Sequence, residues 1–262
     1  MPKISIVMPT YNQGDLLRRA IKSVLSQDFS DWELLVINNY STDNTIQVVE
    51  EFSDSRIKYY NIQNQGVIAL SRNLGISKAE SDLIAFLDSD DYWFDTKLSE
   101  CWNYIKKTNC DLVCHGESWE DLSGTVKKTV IYGPKTAATF FSLVFNRNCL
   151  STSAVVAKKK ILQNVDCFDI NKECQMVEDY DLWIRLSKYN ADIEFIDSIL
   201  GVYTIHNSTS KKSLLRQMKS EIMLLNKYFR FFKSEGLNFF YIRCAKRIFR
   251  LFFSFSIRLI NS

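Results

Sequence analysis

Three aspartates stand within four residues, in the run Asp88-Ser89-Asp90-Asp91, directly after the apolar residues 83–87. Carboxylates this close repel one another unless a cation lies among them. Hard divalent cations prefer such oxygen ligands and commonly bridge to phosphates. The run therefore favours a metal site that also holds a phosphorylated ligand. A solvated acidic turn ahead of a helix would have the same composition, so the run by itself leaves both interpretations open.

Two other polar clusters occupy a similar place on the chain. Pro9-Thr10-Tyr11-Asn12 follows the apolar residues 4–8, and Asn38-Asn39-Tyr40 follows the apolar residues 33–37. The carboxyl ends of parallel strands meet along one edge of a sheet, and ligands bind beyond that edge. We therefore expect the three clusters to line one binding site.

Strand and helix patterns alternate through the first part of the chain, where these clusters lie. Apolar runs predict strands at residues 4–8, 33–37, 57–62 and 83–87. Helical spacing predicts helices at 14–27 and 70–78, and N-cap residues at 41–43 predict a helix that continues through Val48, Val49 and Phe52. This alternation predicts an α/β fold, with a mainly parallel sheet flanked by helices.

The second half of the chain is less regular. Its patterns predict strands at 112–114, 129–132, 153–156 and 199–204, and helices near 96–107, 136–146 and 179–189. From about residue 208 onward the pattern becomes helical, basic and aromatic. We expect a C-terminal helical extension there.

Composition excludes several classes of protein. The chain has 262 residues, of which 46% are apolar, which is enough for one large domain with an appendage. No segment approaches the roughly 20 apolar residues that cross a bilayer, and the first residues do not resemble a signal peptide. The seven cysteines form no Cys-x-x-Cys pair, which indicates reduced thiols in a cytoplasmic protein, without a disulfide framework or zinc site.

The clusters belong to an ordered series of motifs that resembles family 2 of the inverting glycosyltransferases, which have the Rossmann-like GT-A fold. The matching segments are 9–12, 27–29, 38–43, 64–66, 71–75, 87–91 and 178–186. The resemblance covers roughly residues 3–207. It implies a GT-A domain at 1–207, with a nucleotide-sugar-binding half at 1–110 and an acceptor and catalytic-base half at 111–207. Residues 208–262 would form the basic aromatic helical tail.

The resemblance assigns roles in binding a nucleotide-sugar donor. Tyr11 would stack on the base, with Pro9 and Thr10 lining the same pocket. Arg72 would contact the donor phosphates, since a planar and permanently charged guanidinium suits that task.

The acidic run gains roles from the same resemblance. Asp88 would hold the ribose side, with Ser89 beside it in the donor site. Asp90 and Asp91 would hold Mn²⁺ or Mg²⁺ bridging the diphosphate, and His206 would contact the metal or the diphosphate.

The catalytic base is implied at Asp179, within Glu178-Asp179-Tyr180-Asp181. An inverting transfer needs a carboxylate that takes the proton of the acceptor hydroxyl as its oxygen attacks the anomeric carbon. Glu178 and Asp181 are alternatives within the motif. The motif could also be the acidic first turn of a helix, which the helix dipole favours.

Two departures from the family pattern support a different hypothesis. Asn38 and Asn39 stand where the family has two aspartates, and the arginine that usually precedes His206 is absent. An asparagine can both accept and donate a hydrogen bond, which weakens the inference to a uridine donor. A non-catalytic nucleotide-binding or scaffold protein on the same fold is therefore the alternative. His115 receives no role.

The tail differs in charge from the rest of the chain. Residues 211–262 carry 12 Lys and Arg against two acidic residues. Within 239–262, basic residues recur at helical spacing among Phe and Ile, a composition typical of a helix that lies on an anionic membrane surface. The alternatives are packing on the domain itself or on a second subunit in a homodimer. We expect no nucleic-acid partner.

Together these features predict a metal-dependent hexosyl- or N-acetylhexosaminyl-transferase. It would move a sugar, most simply from a UDP-sugar, to a glycan or lipid-linked glycan acceptor in bacterial surface polysaccharide synthesis. The place of action would be the inner face of the cell membrane.

Overall fold

Apolar strands and amphipathic helices alternate from the start of the chain, as their periodicity predicts. The computed structural model describes residues 1–172, 175–206 and 211–260, without the side chains of 211–214, 238, 244 and 254–260. The first elements are β1 (Ile4–Thr10), α1 (Gly14–Leu25), β2 (Trp32–Asn38), α2 (Thr45–Glu50), β3 (Ile57–Asn61), α3 (Ile68–Lys78) and β4 (Leu83–Phe86).

The second half contains longer strands and shorter helices. They are β5 (Tyr92–Trp93), α4 (Lys97–Thr108), β6 (Leu112–Asp121), β7 (Val126–Val130), α5 (Phe140–Phe145), β8 (Val155–Lys158), α6 (Lys159–Asn164), α7 (Glu178–Lys188) and β9 (Ile193–Ile205). Two long helices follow, α8 (Lys211–Ser234) and α9 (Asn238–Ile260).

The described strands form one mixed sheet in the order β3-β2-β1-β4-β8-β6-β9-β5, with β7 paired to β6. The pairs β1–β2, β1–β4, β2–β3 and β6–β9 are parallel. Strand β8 runs antiparallel between β4 and β6 and joins the two halves. The predicted α/β class and the C-terminal helical extension are confirmed.

Alternating strand residues supply two hydrophobic cores, one on each face of the sheet. Ile6 and Met8 of β1 face the layer that contains α1 and α4, whereas Val7 faces the layer that contains α3, α7 and α8. Every residue of β1 and β2 is buried, because helices cover both faces of a parallel sheet.

The helix α3 packs unusually close to β1. A Cβ atom on Gly75 would lie 2.3 Å from Cγ1 of Val7, so only glycine allows this approach. The contact fixes α3 against the sheet and thereby places the buried Arg72 near the ends of the strands.

The predicted tail packs partly on the domain. Leu224, Tyr228 and Phe232 of α8 belong to the same core as Trp183 of α7. Residues 208–210 and 261–262 of the predicted tail lie outside the described residues, and the domain boundary at 207 stays a prediction. No helix in the described part of the chain is long and apolar enough to cross a membrane.

The sequence placed the strands of the second half less accurately. Strand β9 begins at Ile193, ahead of the predicted 199–204, because polar residues (Glu194, Asp197 and Ser198) interrupt the apolar ones in its first part. Strands β7 and β8 are likewise shifted from the predicted 129–132 and 153–156.

Candidate active site

The carboxyl ends of β1, β2 and β4 surround a cavity of about 300 Å³, which we call the first cavity. Seven residues that the sequence assigned to the donor line it: Pro9, Thr10, Tyr11, Asn39, Asp88, Ser89 and Asp90. The parallel pairing brings these strand ends together, so three clusters far apart in sequence share one site.

The end of β1 and the residue after it contribute an unpaired hydroxyl and an aromatic ring to the wall of the first cavity. Tyr11 is 55% exposed, while Thr10 is buried and its Oγ1 has no hydrogen-bond partner in the described structure. Asn12 has a positive φ, and its Oδ1 accepts from the backbone N–H of Thr42 at 2.7 Å. This turn holds the exposed ring of Tyr11 at the mouth of the cavity.

The two asparagines after β2 lie in different environments. Asn38 is buried beneath the cavity and does not line it, and its Nδ2 donates to Tyr59 at 2.6 Å and to Asn61 at 2.9 Å. Asn39 does line the cavity, and its Oδ1 accepts from the backbone N–H of Asn64 at 2.9 Å. The structure therefore brings only the second asparagine to the predicted base pocket.

An arginine bridges the acidic run to the predicted base motif. Arg72 donates from Nη2 to Asp88 at 2.8 Å and from Nη1 to Glu178 at 2.7 Å. It is 3% exposed, and its Nε lacks a partner. Each terminal nitrogen is thus paired with a carboxylate, and the predicted contact of Arg72 with the donor phosphates stays a prediction.

Asp90, which lines the first cavity, is in contact with His206. The Nε2 atom of His206 lies 2.8 Å from Oδ2 of Asp90, and both side chains remain partly exposed. Burial and the charge of Asp88 raise the pKa of Asp90, while His206 opposes this rise. A carboxylate and an imidazole are suitable ligands for Mn²⁺.

Asp91 points into the protein. Its Oδ1 accepts from the backbone N–H of Thr204 at 2.8 Å and its Oδ2 accepts from Ser153 at 2.5 Å. Burial, followed by the charges of Asp90 and Glu117, raises its pKa well above the usual range. These contacts join the end of β4 to β9 and fix the loop that carries Asp90.

A second, larger cavity of about 740 Å³ lies on the other side of Asp88, which lines both. Asp179 forms part of its wall, in the first turn of α7, and its Oδ2 accepts from Thr152 at 3.1 Å. Burial and the neighbouring charge of Glu178 raise the pKa of Asp179 to about 6, although Arg72 opposes them. A carboxylate with this pKa is ionised at neutral pH and is a stronger base than an exposed aspartate.

The two alternatives within the motif are less suited to act as the base. Asp181 is fully buried and does not line the cavity, because Arg185, Lys227 and Tyr228 surround it. Glu178 lines the cavity, but its Oε1 pairs with Arg72.

Aromatic rings form another wall of the second cavity. The ring centroids of Trp119 and Tyr203 are 4.7 Å apart, and Lys128 places its Nζ 3.7 Å from the Trp119 ring centroid. Trp119 donates from Nε1 to Tyr132 at 3.3 Å, and Tyr132 donates to Glu117 at 2.7 Å. This chain of bonds fixes the orientation of the Trp119 ring.

His115 lies behind this wall and does not reach the cavity. It is fully buried, and its Nδ1 lies 2.8 Å from the carbonyl oxygen of Gly116. Burial lowers its pKa to about 3, so it is a neutral residue of the interior.

Several site residues carried no signal strong enough to be identified from sequence. Gln13 accepts from Ser89 at 2.6 Å and lines the first cavity. Arg19 donates to the backbone oxygen of Asp90 at 2.5 Å and to Thr204 at 2.8 Å. Helical periodicity shows on which face of α1 Arg19 lies. It does not show that this face contacts Asp90 and Thr204.

The described residues contain no preformed cluster of three or more His, Cys, Asp or Glu side chains able to hold a metal ion. Asp90 and His206 provide two ligands on one rim. Divalent cations in phosphate sites commonly take their remaining ligands from phosphate oxygens and water. The donor set therefore fits a cation that arrives with a diphosphate.

The chain is similar in sequence to known glycosyltransferases. The model of glycosyl transferase family 2 matches residues 5–164. The Escherichia coli UDP-Glc:alpha-D-GlcNAc-diphosphoundecaprenol beta-1,3-glucosyltransferase WfgD is 32% identical over 221 residues, or 83% of each chain. The Campylobacter jejuni GalNAc(5)-diNAcBac-PP-undecaprenol beta-1,3-glucosyltransferase is 34% identical over 227 residues, or 80% of this chain and 67% of the relative.

A solved structure has the same fold. The mannosyltransferase of Pyrobaculum calidifontis in complex with GDP-Man and Mn²⁺ superposes with a TM-score of 0.67, at 14% identity, over 87% of this chain and 64% of that one.

Proposed function

The chain belongs to glycosyltransferase family 2, and from that premise we propose that it is an inverting, metal-dependent enzyme that transfers a sugar from a UDP-sugar to a lipid-linked glycan. One observation carries this proposal: the first and second cavities meet at Asp88. A donor in the first cavity would therefore present its sugar to an acceptor in the second, where Asp179 lies.

The first cavity would hold the nucleotide. Tyr11 stacks on the base, Thr10 offers its unpartnered hydroxyl, and Asp88 accepts from the ribose. Asn39 faces the base edge, and its oxygen can accept from uracil N3–H while it keeps the bond from Asn64, because a carbonyl oxygen has two lone pairs. Uridine is supported further by the WfgD relative, whose name specifies UDP-Glc.

The diphosphate would lie beside Asp90 and His206, which we propose as the protein ligands of Mn²⁺ or Mg²⁺. When bound, such a cation supplies Lewis-acid stabilisation of the charge that develops on the leaving diphosphate. We assign Asp91 to fixing this loop, because both of its oxygens accept bonds from the protein. Arg72 keeps Asp88 and Glu178 in place, and its charge acts on the diphosphate across Asp88.

The chemical step would place the acceptor hydroxyl between Asp179 and the anomeric carbon. The hydroxyl oxygen forms the new glycosidic bond as the bond between the anomeric carbon and the phosphate oxygen breaks. The proton passes to Asp179, and the electron pair leaves with the nucleotide diphosphate. Because attack comes from the face opposite the leaving group, configuration at that carbon is inverted.

The aromatic wall at Trp119 and Tyr203 would support the acceptor glycan. The names of two relatives specify acceptors linked through diphosphate to undecaprenol, which supports a lipid-linked acceptor and a role in surface polysaccharide synthesis. Such an acceptor would place the enzyme at the inner face of the cell membrane. The exposed basic and apolar face of α9 (Arg243, Lys246, Phe249 and Phe253) supports contact with anionic lipid there.

A donor panel tests the proposal. The protein would be incubated with UDP-, GDP-, CDP- and dTDP-linked sugars, with Mn²⁺ or with EDTA, and nucleotide release would be measured beside thermal stability. We expect stabilisation and slow release with UDP-sugars and Mn²⁺, and neither with EDTA. Equal release from all four donors, or release unaffected by EDTA, would contradict the donor and metal assignments.

A further inference from the structure

Two adjacent hydroxyl side chains, Thr152 and Ser153, connect the proposed base to the acidic run, and both line the second cavity. The Oγ1 atom of Thr152 donates to Oδ2 of Asp179 at 3.1 Å. The Oγ atom of Ser153 donates to Oδ2 of Asp91 at 2.5 Å and accepts from the backbone N–H of Asp88 at 3.2 Å. One dipeptide therefore contacts the base, the first residue of the acidic run and its last residue.

The pairing of the strands explains why this dipeptide lies beside the acidic run. It belongs to a short 3₁₀ turn, Thr152–Ala154, ahead of β8. Strand β8 runs antiparallel to β4, with Ala85 opposite Val156. The start of an antiparallel strand lies beside the end of its neighbour. Residues ahead of β8 therefore meet those that follow β4.

The dipeptide is itself held in place by the interior. Thr152 and Ser153 are both almost completely buried. The indole Nε1 of Trp93 donates to the backbone oxygen of Ser153 at 2.8 Å. Trp93 is buried in turn, and the Nζ of the buried Lys97 lies 3.4 Å from the centroid of its ring. Closely packed surroundings of this kind leave a side chain little room to move.

The carboxylate of Asp179 depends on Thr152 for its orientation. Its Oδ1 accepts from the backbone N–H of Tyr180, the next residue of α7, at 2.7 Å. In the described part of the chain, Thr152 is the side chain that hydrogen-bonds the other oxygen. Arg72 acts on Asp179 by its charge, since its terminal nitrogens are bonded elsewhere.

The same hydroxyl affects the ionisation of the base. Burial and the charge of Glu178 raise the pKa of Asp179 to about 6, whereas Arg72 and the hydrogen bond from Thr152 oppose this rise. A hydrogen bond donated to a carboxylate favours its ionised form. Because Thr152 is uncharged, its hydroxyl can be removed without changing the charge of the cavity wall. The other side chains of that wall that carry charge near neutral pH are Asp88, Asp91, Lys128, Arg147, Glu221 and Arg247.

We propose that Thr152 and Ser153 are positioning residues that align the base with the donor. Thr152 orients the carboxylate of Asp179 toward the acceptor hydroxyl, and Ser153 fixes the turn that carries Asp90. One dipeptide thereby sets the distance between the base and the metal site. This inference rests on the proposed function, because it needs Asp179 as the base and the donor in the first cavity.

Replacement of Thr152 tests the orientation of the base. Thr152→Val keeps a branched side chain of similar size and removes the donor to Asp179. The assay is nucleotide release from the UDP-sugar that reacts fastest in the donor panel. The acidic limb of its pH profile should move upward by about one unit, because the ionised carboxylate loses a hydrogen bond. At a pH well above both midpoints, kcat should still be about tenfold lower, while KM for the donor should change less than about twofold.

Matched variants control for structural damage. Thr152→Ser keeps the hydroxyl and should restore the pH midpoint and most of kcat, whereas Thr152→Ala should shift the midpoint as Thr152→Val does. Ser187→Ala removes a hydroxyl from the same helix as Asp179, where it donates to the backbone oxygen of Ala138 at 2.7 Å, and should change neither quantity. An unchanged midpoint in both Thr152→Val and Thr152→Ala, or an equal kcat loss in Thr152→Ser, would overturn the assignment of Thr152.

Ser153→Ala should act on the metal site instead. It removes the bonds to Asp91 and to the backbone of Asp88. Calorimetry with and without EDTA should therefore show the Mn²⁺-dependent increase in UDP affinity reduced by about fivefold, with the pH midpoint unchanged. A full Mn²⁺ effect in this variant would overturn the assignment of Ser153.

The double variant Thr152→Val/Ser153→Ala tests whether the dipeptide acts as one unit. Residues that act together give non-additive losses, because a base already displaced by one change has less to lose from the other. The loss in kcat should therefore be smaller than the product of the two single losses. A loss equal to that product would contradict the coupling between the base and the metal site.

The same measurements separate this inference from the proposed function. Wild-type protein may bind UDP and release nucleotide with an acidic limb that Asp179→Asn abolishes; Thr152→Val and Ser153→Ala that behave like that wild type contradict the inference alone. Protein that binds no nucleotide, or that keeps full activity in Asp179→Asn, contradicts the proposed function instead.

Discussion

The first and second cavities are built in different ways, although they share Asp88. The first is made from short segments that directly follow β1, β2 and β4, three strands paired in parallel. The second collects residues from β6, β9, α7, α9 and the segment after α5, which are far apart in sequence. A site at the ends of adjacent strands can be recognised from short sequence motifs. A site assembled by tertiary packing has few such motifs.

The difference extends to how each cavity uses charge. In the first, Asp90 and His206 face an open rim. In the second, Asp179 is held by Thr152 in partly buried surroundings that raise its pKa to about 6. Donor binding would therefore depend on exposed ligands, and chemistry on a carboxylate tuned by burial.

The variant with the largest expected effect is Asp179→Asn. It tests whether the chemical step depends on the second cavity while donor binding depends on the first. The amide keeps an oxygen for Thr152 but cannot take a proton, so kcat should fall by about 10²–10⁴-fold. UDP affinity, measured by calorimetry, should stay within about twofold because the first cavity is unchanged.

The control for that variant is Asp181→Asn, which lies two residues further along α7. Asp181 is buried among Arg185, Lys227 and Tyr228, so its replacement should lower thermal stability with little change in kcat of the folded fraction. A kcat loss in Asp181→Asn that equals the loss in Asp179→Asn would assign the base to the motif as a whole.

Loss of the metal ligands should act on the first cavity. Asp90→Asn should reduce kcat by about 100-fold or more, because metal stabilisation of the leaving group contributes several kcal/mol. The variant should also lose the Mn²⁺-dependent increase in UDP affinity, measured by calorimetry with and without EDTA.

Asp91→Asn separates binding of metal from support of the loop. Its amide would place an NH2 group opposite either the N–H of Thr204 or the hydroxyl of Ser153. An unsatisfied buried group costs about 1–3 kcal/mol, so the midpoint of thermal unfolding should fall while Mn²⁺ still increases UDP affinity. Loss of that metal effect in Asp91→Asn, with normal stability, would make Asp91 a ligand.

The dependence of activity on pH should follow the ionisation of Asp179 in the second cavity. Asp179 must be ionised to accept a proton, and its pKa is raised to about 6. Activity should therefore fall about tenfold per pH unit below 6 and level off above it. UDP binding should not follow that profile; a parallel decline would place the titrating group in the first cavity instead.

The sequence predicted the first cavity closely because a parallel sheet aligns strand ends. Periodicity alone located β1, β2 and β4, and the polar residues after them had to lie together. Periodicity could not show that Asn38 is buried while Asn39 lines the first cavity. That difference depends on the direction in which the chain turns after β2. The sequence did not predict that Arg147 and Arg247 line the same cavity, because that depends on how α9 packs against α5.

The smallest expected effect concerns recognition of the nucleobase of the donor. In Asn39→Asp the carboxylate would keep the bond from the backbone N–H of Asn64 and replace the amide NH2 with an acceptor. Uracil N3–H would then donate to a charged oxygen and no longer to a neutral one, and cytosine N3 would lose its donor, so UDP affinity should rise about threefold and CDP affinity should fall about as much. The matched change Asn38→Asp should instead lower stability, because the Nδ2 of Asn38 donates to Tyr59 and Asn61. Unchanged base preference in Asn39→Asp would show that Asn39 lines the first cavity without contacting the base edge, and selection of the base would then depend on the backbone around Asn64.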